Sequence, residues 1–321
     1  MSVSGRPAAK QTYFSTTFWQ RVGRRLKNDC QIYVLLLPAI AFFVIFYYTP
    51  MYGIQIAFRD FKARFGITGS TWVGLKNFKD YFNSYYAPRQ FFNTFILNFL
   101  SLIISFPIPI ILAIMLNQLD RPKLKKFTQT AIYVPHFIST AVMVGMLYLL
   151  FSPSNGIVNI TAAKMFGQAK PIYYMALPEW FRPLYIGSDI WQHAGWNTIL
   201  YIATLTAIDP ALYEAAEIDG ANKWQKIKHI DFPYLLPIAT MLLILNCGGL
   251  LGSNTDKALL MQTPGNLPTS DIIGVYVYKR GLETAEFSYA AAIGLCVNVI
   301  NFVMIVSVNA LSKRLSETSL F

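Results

Sequence analysis

The residues best placed to act on another molecule lie between Glu214 and Pro237. Three acidic side chains, Glu214, Glu217 and Asp219, precede Gly220, and three lysines, Lys223, Lys226 and Lys228, follow it. Ala211 to Asp219 favours helix. Gly220 permits a reversal because it takes positive φ without a Cβ clash. A second short helix is expected from Asn222, with Trp224, Ile227 and Ile230 at three-residue spacing on one face. Pro233 is expected to end it and to begin the next apolar run. Such a hairpin makes and breaks no covalent bond. A short helix with an apolar face and a charged rim is shaped to fill a groove in another protein. Asp231 stands where an apolar residue would be expected, and is read as facing water at an interface.

The elements that carry this hairpin are set by solvent. Hydrophobic residues make up 54% of the 321-residue chain and charged residues 13%, against about 25% charged in a soluble domain. The excess is gathered into blocks long enough to cross a bilayer, roughly 20 apolar residues each. Six spans are expected: about Gln31–Met51 with Pro38 inside it, Phe92–Leu116 bent by Pro107 and Pro109, Thr130–Phe151, Leu184–Ala207, Pro233–Gly252 and Tyr289–Leu311. The fold class is an all-α polytopic membrane bundle. It comprises a basic N-terminal arm over 1–30, a six-span domain over 31–312 containing the loop 209–237, and a tail over 313–321. Residues 1–30 carry Arg21, Arg24, Arg25 and Lys27 before the first apolar run, which reads as an anchor and not as a cleaved signal. The density of Arg121, Lys123, Lys125 and Lys126, with the lysines near Glu214 and with Lys313 and Arg314, places these segments and both termini in the cytoplasm.

The remaining polar groups exclude several classes. The net charge of +11 sits in short segments beside the apolar blocks, without a basic stripe interleaved with aromatics, so nucleic acid is not an expected partner. Cys30, Cys247 and Cys296 follow no metal spacing. His136 is placed near the inner end of the third span, and Asp189 and His193 near the outer end of the fourth. Both histidines read as structural, with nothing nearby to suggest a metal or acid–base partner. With no charge at mid-membrane, where ion-coupled carriers keep one for use, a secondary transporter is the weaker alternative. An enzyme acting on lipid-linked sugars would need convergent carboxylates or a metal cluster at a span end, and none is found. No catalytic or metal site is expected.

The stretch Glu214, Ala215, Ala216, Asp219, Gly220, Ala221, Gln225, Ile230, Pro233 and Pro237 closely resembles the EAA signature of binding-protein-dependent ABC-importer permeases. Its place between the fourth and fifth spans fits too. The resemblance implies a coupling helix that inserts into a cleft of an ATP-binding subunit, with Glu214 paired to a basic residue there and Gly220 making the tip. The segments Trp72–Phe78 and Phe92–Thr94 resemble the sugar-importer permeases. Tyr276–Arg280, Phe287–Ala290 and the tail from Lys313 resemble the branch that carries polysaccharides and oligosaccharides. The implied assembly is a second permease subunit, as a heterodimer, two ATP-binding subunits, an extracellular solute-binding protein and a carbohydrate substrate, all at a bacterial inner membrane. ATP and Mg would be bound by the partner ATPase, with no cofactor in this chain. No Gly-Lys dipeptide occurs anywhere in it, so it lacks the phosphate-cradling loop G-x-x-x-x-G-K-[S/T].

A substrate path is expected from Trp191 and Gln192 in the fourth span, Asn246 in the fifth, and Asn298 and Asn301 in the sixth. The competing reading is that the asparagines bond neighbouring helices. Amino-acid or peptide cargo stays open within the importer class. Uptake of labelled cargo is expected to stop when ATP is depleted with the ion gradient clamped; uptake that persists would mark an ion-coupled carrier.

Overall fold

The structure, a computed structural model, describes residues 30–167, 170–252 and 254–315. The expected N-terminal arm and most of the expected tail lie outside these residues. The chain divides into two units, Met1–Gln55 and Ile56–Phe321.

In the first unit, α1 (Cys30–Phe43) contains Pro38 and runs on through a π turn at Val44–Tyr48. Pro50 has no N–H to give, and beside it Thr49 Oγ1 donates to Val44 O at 2.9 Å. Exposed Ile32, Leu35, Leu37, Phe42 and Phe46 make this helix apolar all round, the composition of a helix whose solvent is lipid.

The second unit opens on an antiparallel ribbon, β1 (Arg59–Asp60) and β2 (Thr71–Trp72), with Arg59 opposite Trp72 and Asp60 opposite Thr71. Asn77 on α2 (Lys76–Phe82) braces it by donating to Ala57 O at 2.9 Å and Arg59 O at 3.2 Å. Next come α3 (Ala87–Ser105) and α4 (Pro107–Asn117), which together make a 31-residue span interrupted at Phe106. Pro107 and Pro109 supply no N–H, so the interruption falls just before them.

The expected third span is not one straight helix. It is α5 (Pro122–Tyr133), a 3₁₀ turn at Val134–Phe137, and α6 (Thr140–Leu150), and the axis turns by 96° between the two helical parts. Ser139 leaves the helical region and accepts from Val142 N at 3.3 Å, which starts a new helix with its own cap. After α7 (Ile157–Phe166) comes α8 (Pro178–Thr206), the expected fourth span. It is long enough to cross, but it carries Glu179, Arg182, Asp189, Gln192 and His193 and is not among the helices apolar enough to count by composition. Among the described residues four helices meet both criteria: Gln31–Phe58, Ala87–Asn117, Lys223–Cys247 and Phe287–Arg314; the bent pair would make five. The expected count of six therefore stands at four or five on these criteria. The physical reason is that α8 is lined with protein, so its side chains need not be apolar. Following it are α9 (Pro210–Ile218), α10 (Lys223–Lys226), α11 (Phe232–Cys247), α12 (Thr255–Met261), α13 (Leu267–Ser270), α14 (Ile273–Tyr278) and α15 (Phe287–Leu315).

Two apolar clusters lie along α8. Phe181, Leu184 and Tyr185 join Leu97, Val144, Met261 and Ile272 in one; Tyr201 and Leu205 join Ala113 and Leu235 in the other. Polar bonds clamp the start of α3 to the segment before α14. Arg89 pairs with Asp271 at 2.5 Å, Asn93 Nδ2 donates to Pro268 O at 2.9 Å, and Ile273 N donates to Thr94 Oγ1 at 2.9 Å. Arg182 of α8 donates to Asn93 Oδ1 at 3.1 Å, which ties the central helix into the same clamp.

At Gly195 two helix backbones come close: a Cβ there would lie 2.0 Å from Ile132 O of α5. Gly195→Ala drives a methyl into backbone, so it should destabilise by about 1–3 kcal/mol. Gly187→Ala, on the same helix with nothing within 4 Å of its Cβ position, should be neutral or slightly stabilising. Thermal unfolding of the two detergent-purified variants against the parent checks this.

Candidate docking loop and central cavity

The loop after α8 folds as a rigid hairpin. Asp209 caps α9, its side chain accepting from Ala211 N at 2.9 Å. The helix ends in a Schellman motif, with Ala221 N donating to Ala216 O at 2.8 Å and Gly220 N to Glu217 O at 3.0 Å. Gly220 holds φ +75°, the left-handed conformation this motif requires. Asn222 and Gln225 then form a capping box: Asn222 Oδ1 accepts from Gln225 N at 3.0 Å, and Gln225 Oε1 accepts from Asn222 N at 2.7 Å. Gln225 is thus engaged within the hairpin.

The rest of the signature is placed as follows. Glu214, Ala215, Asp219 and Gly220 are exposed, and Ala216 and Ala221 are half-buried. Glu214 has no hydrogen bond or ion pair among the described residues, whereas Glu217 is held by Lys226 Nζ at 2.5 Å. Ile218 is 88% exposed and Trp224 71%, so the tip presents apolar surface beside an unpaired carboxylate. That combination suits insertion into a groove with a cationic group at its edge.

Two expectations here are corrected. Pro233 does not end the second helix, because Lys223–Cys247 is one continuous 25-residue helix. A π turn at Ile227–Asp231, in which Phe232 N donates to Ile227 O, rearranges the backbone just ahead of the proline. Nor does Asp231 face water. It is fully buried, accepting from the Tyr213 hydroxyl at 2.5 Å and from Gln118 Nε2 at 3.0 Å. Burial and the Asp231 carboxylate push the Tyr213 phenol above its ordinary range, so it remains a donor.

Between α3, α4, α8 and α11 lies a cavity of about 700 Å³. Asn98, Ser101 and Ser105 of α3 line it at helical spacing, with Asp189, Trp196 and Asn197 of α8 and Asn246 of α11. Of the residues expected on a substrate path, Asn246 lines the cavity; Trp191, Gln192, Asn298 and Asn301 are not among its walls. Trp191 is half exposed and Asn298 exposed. Gln192 is buried and donates to Ile138 O at 2.6 Å, bracing the break between α5 and α6. Asn301 Oδ1 accepts from Leu251 N at 3.0 Å, which ties α15 to the turn after α11. The stripe at residues 98, 101 and 105 was open to periodicity and marks a polar face in an otherwise apolar run.

The histidines also sit differently from expectation. His136 and His193 do not lie at opposite ends of the bundle; their rings are 5.5 Å apart, and His136 stacks on Trp196 at 4.3 Å. The 96° bend beside Pro135 brings His136 there. His193 has an acidic neighbour, with Nδ1 3.3 Å from Asp189 Oδ1. Asp189 in turn lies 3.4 Å from Lys257 Nζ, which is almost fully buried and donates to Tyr185 O at 2.9 Å. Because α8 begins at Pro178, Asp189 sits about 16 Å along it, at 1.5 Å per residue. A charge therefore does stand inside the bundle, balanced by a lysine. No group of three or more His, Cys, Asp or Glu able to hold a metal gathers among the described residues.

Comparison with known proteins places this architecture. The polygalacturonan/rhamnogalacturonan transport system permease protein YteP of Bacillus subtilis is 38% identical over 98% of both chains. Protein LplB of the same organism is 36% identical over 92% of both. A chain in the crystal structure of a bacterial alginate ABC transporter, in complex with an alginate pentasaccharide-bound periplasmic protein, superposes with a TM-score of 0.84 at 36% identity. The match covers 94% of this chain and all of that one. The model for the "binding-protein-dependent transport system inner membrane component" matches residues 82–317. The chain belongs to that family: it is an ABC-transporter permease, a multi-pass inner-membrane transport component and not an enzyme.

Proposed function

We propose that this chain is one permease subunit of an ATP-driven importer for a carbohydrate, an oligosaccharide or polysaccharide delivered by an extracellular solute-binding protein. It pairs with a second, similar permease, and two ATP-binding subunits supply the ATP and Mg chemistry from the cytoplasm. Both termini face the cytoplasm, on the side of the hairpin at 209–237. Closure of the ATPase dimer on ATP draws the hairpins together and turns the spans outward-facing; cargo enters the cavity beside Asn246, and hydrolysis resets the pathway inward.

The observation that carries this reading is the hairpin. Its caps are satisfied internally, while Glu214, Ile218 and Trp224 are left for something outside the chain. Support for a carbohydrate comes from the relatives named above and from a cavity that offers amides, hydroxyls and an indole, the groups sugars use for hydrogen bonds and ring stacking.

Two experiments test it. Glu214→Arg should cut ATP-dependent uptake in proteoliposomes at least about tenfold by setting a cation against the ATPase cleft, while Glu217→Gln, which loses only an exposed pair within the hairpin, should stay within about twofold. Equal loss in both variants would deny Glu214 a partner. Calorimetric titration of candidate oligosaccharides into the cognate solute-binding protein should show saturable binding; binding of amino acids or peptides alone would replace the cargo class.

A further inference from the structure

The hairpin leaves the bundle by two limbs, and a single buried carboxylate joins them. Asp231 lies where the second limb enters α11 and is 0% exposed. Its Oδ1 accepts from Tyr213 of the first limb, and its Oδ2 accepts from Gln118, the C-cap residue just after α4. The Asn117 side chain reaches the same Tyr213 hydroxyl. Around this knot the packing is apolar: Ala113 and Ile114 of α4, Leu205 of α8, Ile230, and Leu235 of α11.

A carboxyl group in such surroundings is costly unless its oxygens are bonded, and an apolar residue would fill the space at less cost. What the carboxylate adds is direction. Apolar contacts let elements slide past one another, because burial has no preferred angle. Two bonds from two different elements, donated by Tyr213 and Gln118, fix where the hairpin stands against the end of α4 and the start of α11. Those two helices also wall the cavity, α4 through Pro109 and α11 through Leu242, Leu245 and Asn246.

We infer that Asp231 is a positioning residue that makes the hairpin, the end of α4 and the start of α11 move as one body, so that displacement of the hairpin reaches the cavity walls. The inference rests on the hairpin being the ATPase-docking element. It assigns Asp231, Tyr213 and Gln118 to transmission, and leaves docking to Glu214 and the exposed tip.

The test uses the complete reconstituted transporter, with ATP hydrolysed and cargo taken up measured on the same vesicles. Asp231→Ala, Tyr213→Phe and Gln118→Met should each assemble with the ATPase and hydrolyse ATP within about twofold of the parent. Each should consume at least about tenfold more ATP per cargo molecule imported, the scale of one lost charge-assisted hydrogen bond. An unchanged ratio, whether both rates fall together or neither falls, overturns the inference. Should Asp231→Ala fail to assemble, Tyr213→Phe and Gln118→Met, which remove one donor each, decide by the same ratio. Glu214→Arg run in parallel separates the two claims. If it leaves assembly and uptake intact, the docking reading fails; if it abolishes assembly while the three variants keep the parental ratio, the transmission inference alone fails.

Discussion

Polar groups withdrawn from water are mostly satisfied inside the bundle, and α8 carries many of them, leaving Gln192 Oε1 and Arg182 Nε without a partner among the described residues. Gln192 donates to Ile138 O at 2.6 Å, Ser188 Oγ to Leu184 O at 2.6 Å and Thr198 Oγ1 to Gly195 O at 2.6 Å. Each unsatisfied group in such a setting would cost several kcal/mol. The helix can carry this load because other helices cover it. Gly195 brings the backbone of α5 against it, and Lys257 reaches in from α12 to balance Asp189. The helices long and apolar enough to meet lipid carry few charges, and the cavity opens between α8 and three of their segments, α3, α4 and α11.

The hairpin obeys the opposite rule. Its backbone groups are closed off by the Schellman motif and the capping box, while Ile218 and Trp224 stay exposed. Stiffness matters because a flexible loop would absorb displacement that a capped hairpin passes on. The join to the bundle at Asp231 continues this stiffness inward, past Gln118 to α4 and along α11 to the cavity. Neither part needs covalent chemistry. On the proposed reading, conformational work enters at the hairpin and a change of access leaves at the cavity.

Much of this was legible in the residues. The acidic–glycine–basic run around Gly220 announced a capped hairpin, and its match to the EAA signature announced the permease family that the comparisons bear out. Long apolar runs located the outer helices well, since lipid leaves one composition open to them. The misplacements share a cause. Apolarity along the chain reports exposure to lipid, and says little about a helix covered by protein, so the start of α8 at Pro178 was missed and Asp189 was set at a span end. Pro135 was visible, but the 96° break also needed the cap at Ser139, a matter of local geometry. Once the break was lost, the nearness of His136 to His193 was lost with it. Asp231 was noticed as an anomaly, yet its partners lie 18 residues and 113 residues away in sequence, beyond any local pattern.

The central claim is that the tip of this hairpin sits in a groove of the ATPase. A photo-activatable residue at Ile218, with a matched one at Phe166 of α7, tests it most directly in membranes of cells expressing the whole transporter. Both positions are more than four-fifths exposed in the isolated chain. Light should join Ile218 to the ATP-binding subunit in high yield, with Phe166 giving no such product. If Ile218 fails to cross-link while the complex still purifies intact, the ATPase engages some other surface, and the account of the hairpin is wrong.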